Sequence, residues 1–135
     1  MLYTGIDLIE IDRFAAAAAR WGERFLARVF TDAERDACGG RVSSLAARFA
    51  AKEAVAKLLG VGLRGLGAGE RAASALGWRE IEVLRDDAGR PILALHGRAQ
   101  ARANELALGP IALSLAHTRL HAVASAVAAE VKVKN

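Results

Sequence analysis

Three places in the chain put ionisable side chains into otherwise apolar runs: Asp7 in Leu2–Ile11, Glu53 with Lys57 in Arg48–Lys57, and His117 closing Ile111–His117. Two carboxylates suit a hard cation such as Mg²⁺, which keeps several waters and takes its remaining oxygens from phosphate. A lysine and a histidine beside such a cation suit phosphate charge. Metal-assisted phosphate chemistry is the reaction class these types point to, provided the elements that carry them meet. Each group also has a plainer explanation. Glu53 and Lys57 lie four apart on one helix face and could be a surface ion pair, contributing about 0.2–0.5 kcal/mol. Asp7 could be a satisfied structural carboxylate near a strand end, since an unpaired one there is costly.

The elements that must position these groups follow from periodicity and punctuation. Leu2–Ile11 reads as a strand covered on both faces, with Asp7 on the side of Tyr3, Ile9 and Ile11. Asp12 is placed to cap a helix with Phe14, Ala17, Ala18 and Trp21 on its apolar face. Arg13, Arg20 and Arg24 form a neighbouring basic stripe, which Gly22 bends or ends. Thr31-Asp-Ala-Glu34 is a capping-box pattern for a short helix stopped by Gly39-Gly40. Ser43 or Ser44 is then the expected cap of the central helix, which runs to about Gly60. On that helix Ala46 and Ala50 give Glu53 and Lys57 a floor of methyl groups open to a bulky polar ligand. Lys52 and Arg48 point away from it, beside Leu59.

Six glycines loosen the stretch from Gly60 to Gly77, with a helical turn expected at Glu70–Leu76. Trp78–Leu84 and Ile92–Leu95 read as the strands of a hairpin closed by Asp86–Pro91. Arg98–Leu108 reads as a helix ending at Gly109-Pro110, Ile111–Leu115 as a strand, and His117–Leu120 as a connection. His121–Val131 reads as a last, fully buried strand, followed by a polar tail. The order gives an α+β class for one domain spanning 1–135.

Composition narrows the partners without choosing one. The chain has 135 residues, 53% hydrophobic and 5% aromatic, so its core must rest on Ala, Leu, Val and Ile. Disorder is excluded on hydrophobicity, and no apolar run is long enough to span a membrane. Met1–Asp7 lacks the basic-then-apolar pattern of a secretory signal, and Cys38 is alone. A cytoplasmic address is the simplest expectation. A net charge of +4 and a pI of about 9.8 favour an acidic partner. Nucleic acid, an acidic protein and a phosphorylated small molecule all qualify, but basic residues are not interleaved with aromatics as in single-strand binders.

Taken in order, six motifs resemble the holo-acyl-carrier-protein synthases, the short branch of the phosphopantetheinyl transferases. They are Gly5–Arg13, Phe30–Arg35, Arg48–Ala54, Trp78–Val83, Gly89–Pro91 and Ser114–Thr118. The resemblance covers nearly the whole chain. It implies an α+β phosphopantetheinyl-transferase-like domain, a small antiparallel sheet packed with a long central helix, assembled as a homotrimer with sites between subunits. It implies transfer of phosphopantetheine from coenzyme A to a serine of an apo acyl carrier protein, with release of adenosine 3′,5′-bisphosphate. By the same resemblance Asp7 and Glu53 bind Mg²⁺ and Lys57 lies near the reacting phosphate. Arg48, Arg90, Pro91, Ser114, His117 and Thr118 belong to the coenzyme A pocket, and Arg13, Arg20 and Arg24 meet the acidic carrier. A metal-bound water and Glu53 are both available to accept the serine proton. The chain departs from the family pattern at Val61, at Ala116 and in the length of its 62–77 loop. The competing reading is a non-catalytic basic module for an acidic protein or nucleic acid, which leaves Asp7 and the Glu53/Lys57 pair unexplained.

Overall fold

The computed structural model describes residues 1–65 and 75–132. The elements run β1 (Leu2–Glu10), α1 (Ile11–Val29), α2 (Asp32–Cys38), α3 (Val42–Leu59), a 3₁₀ turn (Trp78–Glu80), β2 (Ile81–Arg85), β3 (Pro91–Leu95), α4 (Gly97–Glu105), β4 (Ala112–His117) and β5 (His121–Ala129). β1, β5 and β4 form a three-stranded antiparallel sheet in that order, and β2 and β3 form a separate hairpin. The α+β class and the sheet-on-central-helix arrangement expected from the sequence are both present.

Small side chains let the helix and the sheet approach closely. Ala46, Ala50, Ala51 and Ala54 of α3 and Ala122, Ala124 and Ala126 of β5 are wholly buried. A Cβ added at Gly5 would lie 1.9 Å from the Ala54 carbonyl oxygen. Strand β1 therefore rests on the α3 backbone itself, and Gly5 is the residue that permits it. The alanine floor is closed by the sheet rather than open to a ligand, which corrects the expectation for Ala46 and Ala50.

The sheet has one covered face. Along β1 the inward Gly5 and Asp7 are buried, whereas Leu2, Ile6 and Leu8 on the other side are 63–70% exposed. β5 alternates in the same way. Both strands were expected to be covered on both faces. Their near-continuous apolar sequence has a different meaning here: an apolar outer face without a partner inside one protomer.

A second group of buried charges lies behind α3. Lys52 and Glu34 are completely buried and paired at 2.8 Å. Lys52 Nζ also donates to the carbonyls of Trp78 and Ile81, and Glu34 Oε2 accepts from the Val83 amide. Glu34 is also the residue that completes the capping box with Thr31. One ion pair thus ties α2, α3 and β2 together, with every polar atom given a partner, as burial requires. Arg48 is 1% exposed and donates to the carbonyls of Val83 and Ser44, both at 3.4 Å. Lys52 and Arg48 do leave the Glu53 face, but they enter the core. Cys38 lies there too with no exposed surface, and burial pushes its thiol pKa up.

Several local expectations are corrected. Asp12 does not cap α1, which begins at Ile11 after Glu10; neither serine caps α3, which follows Arg41. The capping of Ile11 comes instead from a backbone bond to the Leu120 carbonyl, and such tertiary partners override local signals. Trp78–Glu80 is a 3₁₀ turn that precedes β2. α4 ends at Glu105, because Ala107 turns to φ 54°. His117 closes β4 instead of opening a connection. Trp21 is 60% exposed and not part of the apolar face. The turn expected at Glu70–Leu76 falls mostly outside the described residues; Leu76 itself pairs with Leu63.

Gly22 interrupts α1 with φ 64° and ψ −147°. The bend is large. The rings of Phe14 and Phe25 are 6.0 Å apart, although eleven residues of straight helix would separate them by about 16 Å. The chain doubles back at Gly22 so that Phe14, Phe25, Phe30 and Phe49 form one cluster, with Trp78 stacked on Phe49 at 4.7 Å. The few aromatics are concentrated in this one place.

Gly5→Ala should be costly, because the new methyl meets backbone and not a movable side chain. Overpacking of this kind costs about 1–3 kcal/mol. Urea unfolding should show a lower midpoint at unchanged slope, and a midpoint equal to wild type would refute the close contact.

Candidate functional site

The contact between Gly5 and Ala54 fixes what lies on either side of it. Two residues on along β1, Asp7 faces inward, opposite Ala124. On α3, Glu53 precedes Ala54 and Lys57 follows one turn later. The Lys57 ammonium reaches both Asp7 Oδ1 and the Ile6 carbonyl at 3.0 Å. The Lys57 side chain remains 57% exposed while that of Asp7 is only 10% exposed. The second carboxylate oxygen of Asp7 is buried and has no partner among the described residues. A buried oxygen left unsatisfied in this way calls for a cation or a donor that the chain does not supply.

Glu53 completes the group. Its carboxyl pKa is pushed up to about 7, first by burial, then by the negative charge of Asp7 and a hydrogen bond to it, against the opposing pull of Lys57. Two carboxylates in one partly buried place cannot both ionise without a positive charge between them. Among the described residues no third His, Cys, Asp or Glu joins them. Two protein carboxylates with the remaining positions left to water and phosphate oxygens is the donor set that Mg²⁺ accepts. The residues present therefore fit this ion, with Asp7 and Glu53 holding it.

Beside Glu53 opens a cleft of about 910 Å³. Phe14, Phe25, Phe49 and Trp78 line its apolar part, and Arg13, Arg24, Arg28 and Arg64 also border it. None of these four arginines forms an ion pair among the described residues. Arg13 and Arg24 are thus where an anionic ligand or partner would meet them, and Arg20 stacks over the neighbouring Trp21 ring at 5.0 Å. Sequence reading did not find Arg28, Arg64 or the aromatic floor. Arg28 continues the spacing of the basic stripe and could have been found; Arg64 sits in a glycine-rich stretch without periodicity.

The other candidates are not brought to this group within one chain. Ser114 and His117 lie on β4, separated from Asp7 by the intervening strand β5. Thr118 closes the β4–β5 turn, its hydroxyl accepting from the Leu120 and His121 amides. Arg90 and Pro91 stand at the β2–β3 turn, pinned by Asp86, which accepts from the Arg90 amide. Arg48 is committed to backbone carbonyls in the core. Asp7, Glu53 and Lys57 converge; Arg48, Arg90, Pro91, Ser114, His117 and Thr118 form a separate region.

Comparison with known proteins gives a consistent picture. Residues 3–123 match the model of the 4′-phosphopantetheinyl transferase superfamily. The holo-[acyl-carrier-protein] synthase of Herpetosiphon aurantiacus is 55% identical over 127 residues, covering 94% of this chain and 98% of that protein. Among solved structures, the Neisseria meningitidis holo-[acyl-carrier-protein] synthase superposes with a TM-score of 0.79 at 28% identity, covering 94% and 97% of the two chains. A synthase–coenzyme A complex from Chronobacterium ammoniagenes superposes with a TM-score of 0.78 at 31% identity, covering 98% and 99%. No helix among the described residues is long and apolar enough to cross a membrane.

The raised Glu53 pKa has a consequence for stability. A carboxyl held near 7 when folded and near 4.5 when unfolded favours the protonated native state. Its contribution is full below pH 4.5 and is lost as pH rises through about 7. Without added metal, wild type should therefore lose melting temperature relative to Glu53→Gln between pH 5 and pH 7.5. Parallel melting profiles for the two proteins across that window would contradict the carboxylate pairing.

Proposed function

The chain belongs to the 4′-phosphopantetheinyl transferase superfamily, and we propose on that footing that it is a holo-acyl-carrier-protein synthase. It moves the phosphopantetheine arm of coenzyme A onto a serine of an apo acyl carrier protein, with Mg²⁺, and releases adenosine 3′,5′-bisphosphate. The observation that carries this reading is the convergence of Asp7, Glu53 and Lys57 around a buried carboxylate oxygen that has no partner.

In this reaction the serine hydroxyl oxygen forms a bond to the phosphorus bearing the pantetheine arm, and the bond from that phosphorus to the bridging oxygen of the pyrophosphate breaks. Bound Mg²⁺ neutralises pyrophosphate charge and improves the leaving group. The chain's own part is positioning and electrostatics, as in phosphoryl transfer generally. Asp7, fixed by the strand, and Glu53, fixed by the helix, hold the metal. The exposed Lys57 ammonium lies beside them, where it meets phosphate oxygens. Glu53 borders the cleft and Asp7 does not, so Glu53 is the carboxylate an incoming hydroxyl encounters and the acceptor we assign to its proton.

Coenzyme A contacts fall to Arg90, Pro91, Ser114, His117 and Thr118, with Lys57 at the phosphates; Arg48 supports them through the hairpin that it braces. Because these residues lie apart from Asp7 in one protomer, the reading includes a homotrimer with each site shared between neighbouring copies. The apolar outer face of Leu2, Ile6 and Leu8 supports such an assembly and flanks the metal-binding aspartate. The whole chain acts as one cytoplasmic transferase domain. Arg13, Arg20 and Arg24 receive the acidic carrier. A purely basic binding module would account for the arginines but not for two carboxylates and a lysine gathered at the bottom of a strand-to-helix contact.

Incubation with coenzyme A, Mg²⁺ and apo acyl carrier protein, followed by intact mass, tests the reaction. Wild type should convert the carrier. Asp7→Ala and Glu53→Ala should fall to background while remaining folded, and Mg²⁺ should raise the melting temperature of wild type but not of Asp7→Ala. Near-normal turnover by either variant at limiting Mg²⁺ would defeat the metal assignment.

Carrier encounter should depend on Arg13, which follows the Asp7 strand directly and lines the cleft. Arg13→Glu should raise KM for the carrier about tenfold at low ionic strength with little change for coenzyme A, and Arg20→Glu should do so more mildly. Added salt should bring wild type toward the variants. An unchanged carrier KM for Arg13→Glu would leave these arginines as solvating charges only.

A further inference from the structure

We propose that Trp21 is the apolar anchor on which the carrier protein docks, held at the mouth of the cleft by the turn at Gly22. The inference rests on the transferase reading above and adds a residue and a contact to it. Of the two tryptophans, Trp78 is 4% exposed and belongs to the aromatic floor, whereas Trp21 is 60% exposed and borders the same cleft. An indole left in water at the edge of a pocket is an unused apolar surface of the kind that dominates binding energy once covered.

Its placement is built into the chain. Gly22 adopts φ 64° and ψ −147°, the mirror image of an extended conformation and one open to glycine alone. No atom lies within 4 Å of where a Cβ on Gly22 would be. Glycine is needed there for the direction of the chain and not for want of space. Because the chain reverses, Phe25 returns to the core against Phe14, and Trp21 remains at the vertex. The Arg20 guanidinium, 5.0 Å from the Trp21 ring, steadies the indole by a cation–π contact and sets a positive charge beside it.

These features select an occupant. An exposed indole beside Arg20, on a cleft also bordered by Arg13 and Arg24, is complementary to a surface that is both acidic and apolar, such as one face of an acidic amphipathic helix. The slender pantetheine arm has the deeper floor of Phe14, Phe49 and Trp78 available to it. A macromolecule is what would cover the rim. The carrier's serine must enter beside this rim to reach Glu53, so docking there orients the reacting hydroxyl.

Trp21→Ala and Trp21→Phe test the proposal by steady-state kinetics with apo acyl carrier protein and coenzyme A. Trp21→Ala should raise carrier KM about tenfold while kcat at saturating carrier and KM for coenzyme A stay within about twofold. Trp21→Phe should restore most of the affinity. On wild type, acrylamide quenching of the exposed indole should fall when apo carrier is added without coenzyme A, a measurement that does not depend on any variant folding. Unchanged carrier KM in Trp21→Ala, with Arg13→Glu still impaired, would overturn the anchor and leave the transferase reading standing. A rise confined to coenzyme A KM would give the indole to the pantetheine arm and overturn it equally. A wild type that modifies no carrier would remove the transferase reading, and the anchor with it.

Discussion

The carbonyl oxygen of Ala54 occupies the space where a side chain at position 5 would be. That single close approach of strand to helix sets the distance between β1 and α3, and everything chemical in the molecule depends on that distance. Asp7 is two residues beyond it on one element; Glu53 and Lys57 bracket it on the other. A larger residue at position 5 would lift the strand, and a carboxylate and an ammonium now 3.0 Å apart would separate. The alanine-rich interior serves the same end. Small side chains keep α3 and the sheet close enough for short functional groups to meet across them, at the expense of the apolar area that larger residues would bury.

Neighbouring residues on α3 show two treatments of buried charge. Lys52 and Glu34 are completely enclosed and have partners at every polar atom, so they act as a fastening between helices and hairpin. Glu53, the next residue, faces the opposite way, and its carboxyl is held at about 7 beside an aspartate with an unsatisfied oxygen. The first set is complete within the chain. The second is complete only with something added. This contrast separates structural from functional charges more clearly than burial does, since Asp7 is nearly as buried as the fastening pair.

The class, the hairpin and the central helix were legible because apolar periodicity and glycine stops report directly on backbone state. The Asp7–Glu53–Lys57 group was legible as types and spacing, and the motif order supplied the expectation that they meet. What could not be read was tertiary. Helix caps failed at Asp12 and at Ser43 and Ser44 because distant backbone or no side chain at all fills those roles. The outer face of β1 looked buried because an apolar strand side reads the same whether its cover is its own chain or another. Lys52 was seen to leave the Glu53 face, but a one-dimensional pattern does not show that Glu34, eighteen residues away, waits in the core. Trp21 was assigned to the apolar stripe by angle alone; the reversal at Gly22 changes what that angle faces.

The sheet also constrains the order in which the protein can become active. β1 and β5, its paired strands, come from opposite ends of the described chain, and Asp7 lies opposite Ala124. The helices between them are local structures that can form as soon as they emerge from the ribosome. The aspartate strand, by contrast, has no neighbour until β5 has been made, on the order of ten seconds later at ordinary elongation rates. Contacts of such high sequence separation form late and slowly. Register then carries unusual weight, because a one-residue slip would turn Asp7 outward and drive Ile6 or Leu8 toward α3. Chain closure and assembly of the metal-binding pair are therefore the same event, and a nascent or truncated chain lacking its last strand would hold a folded helix bearing Glu53 with no fixed partner for it.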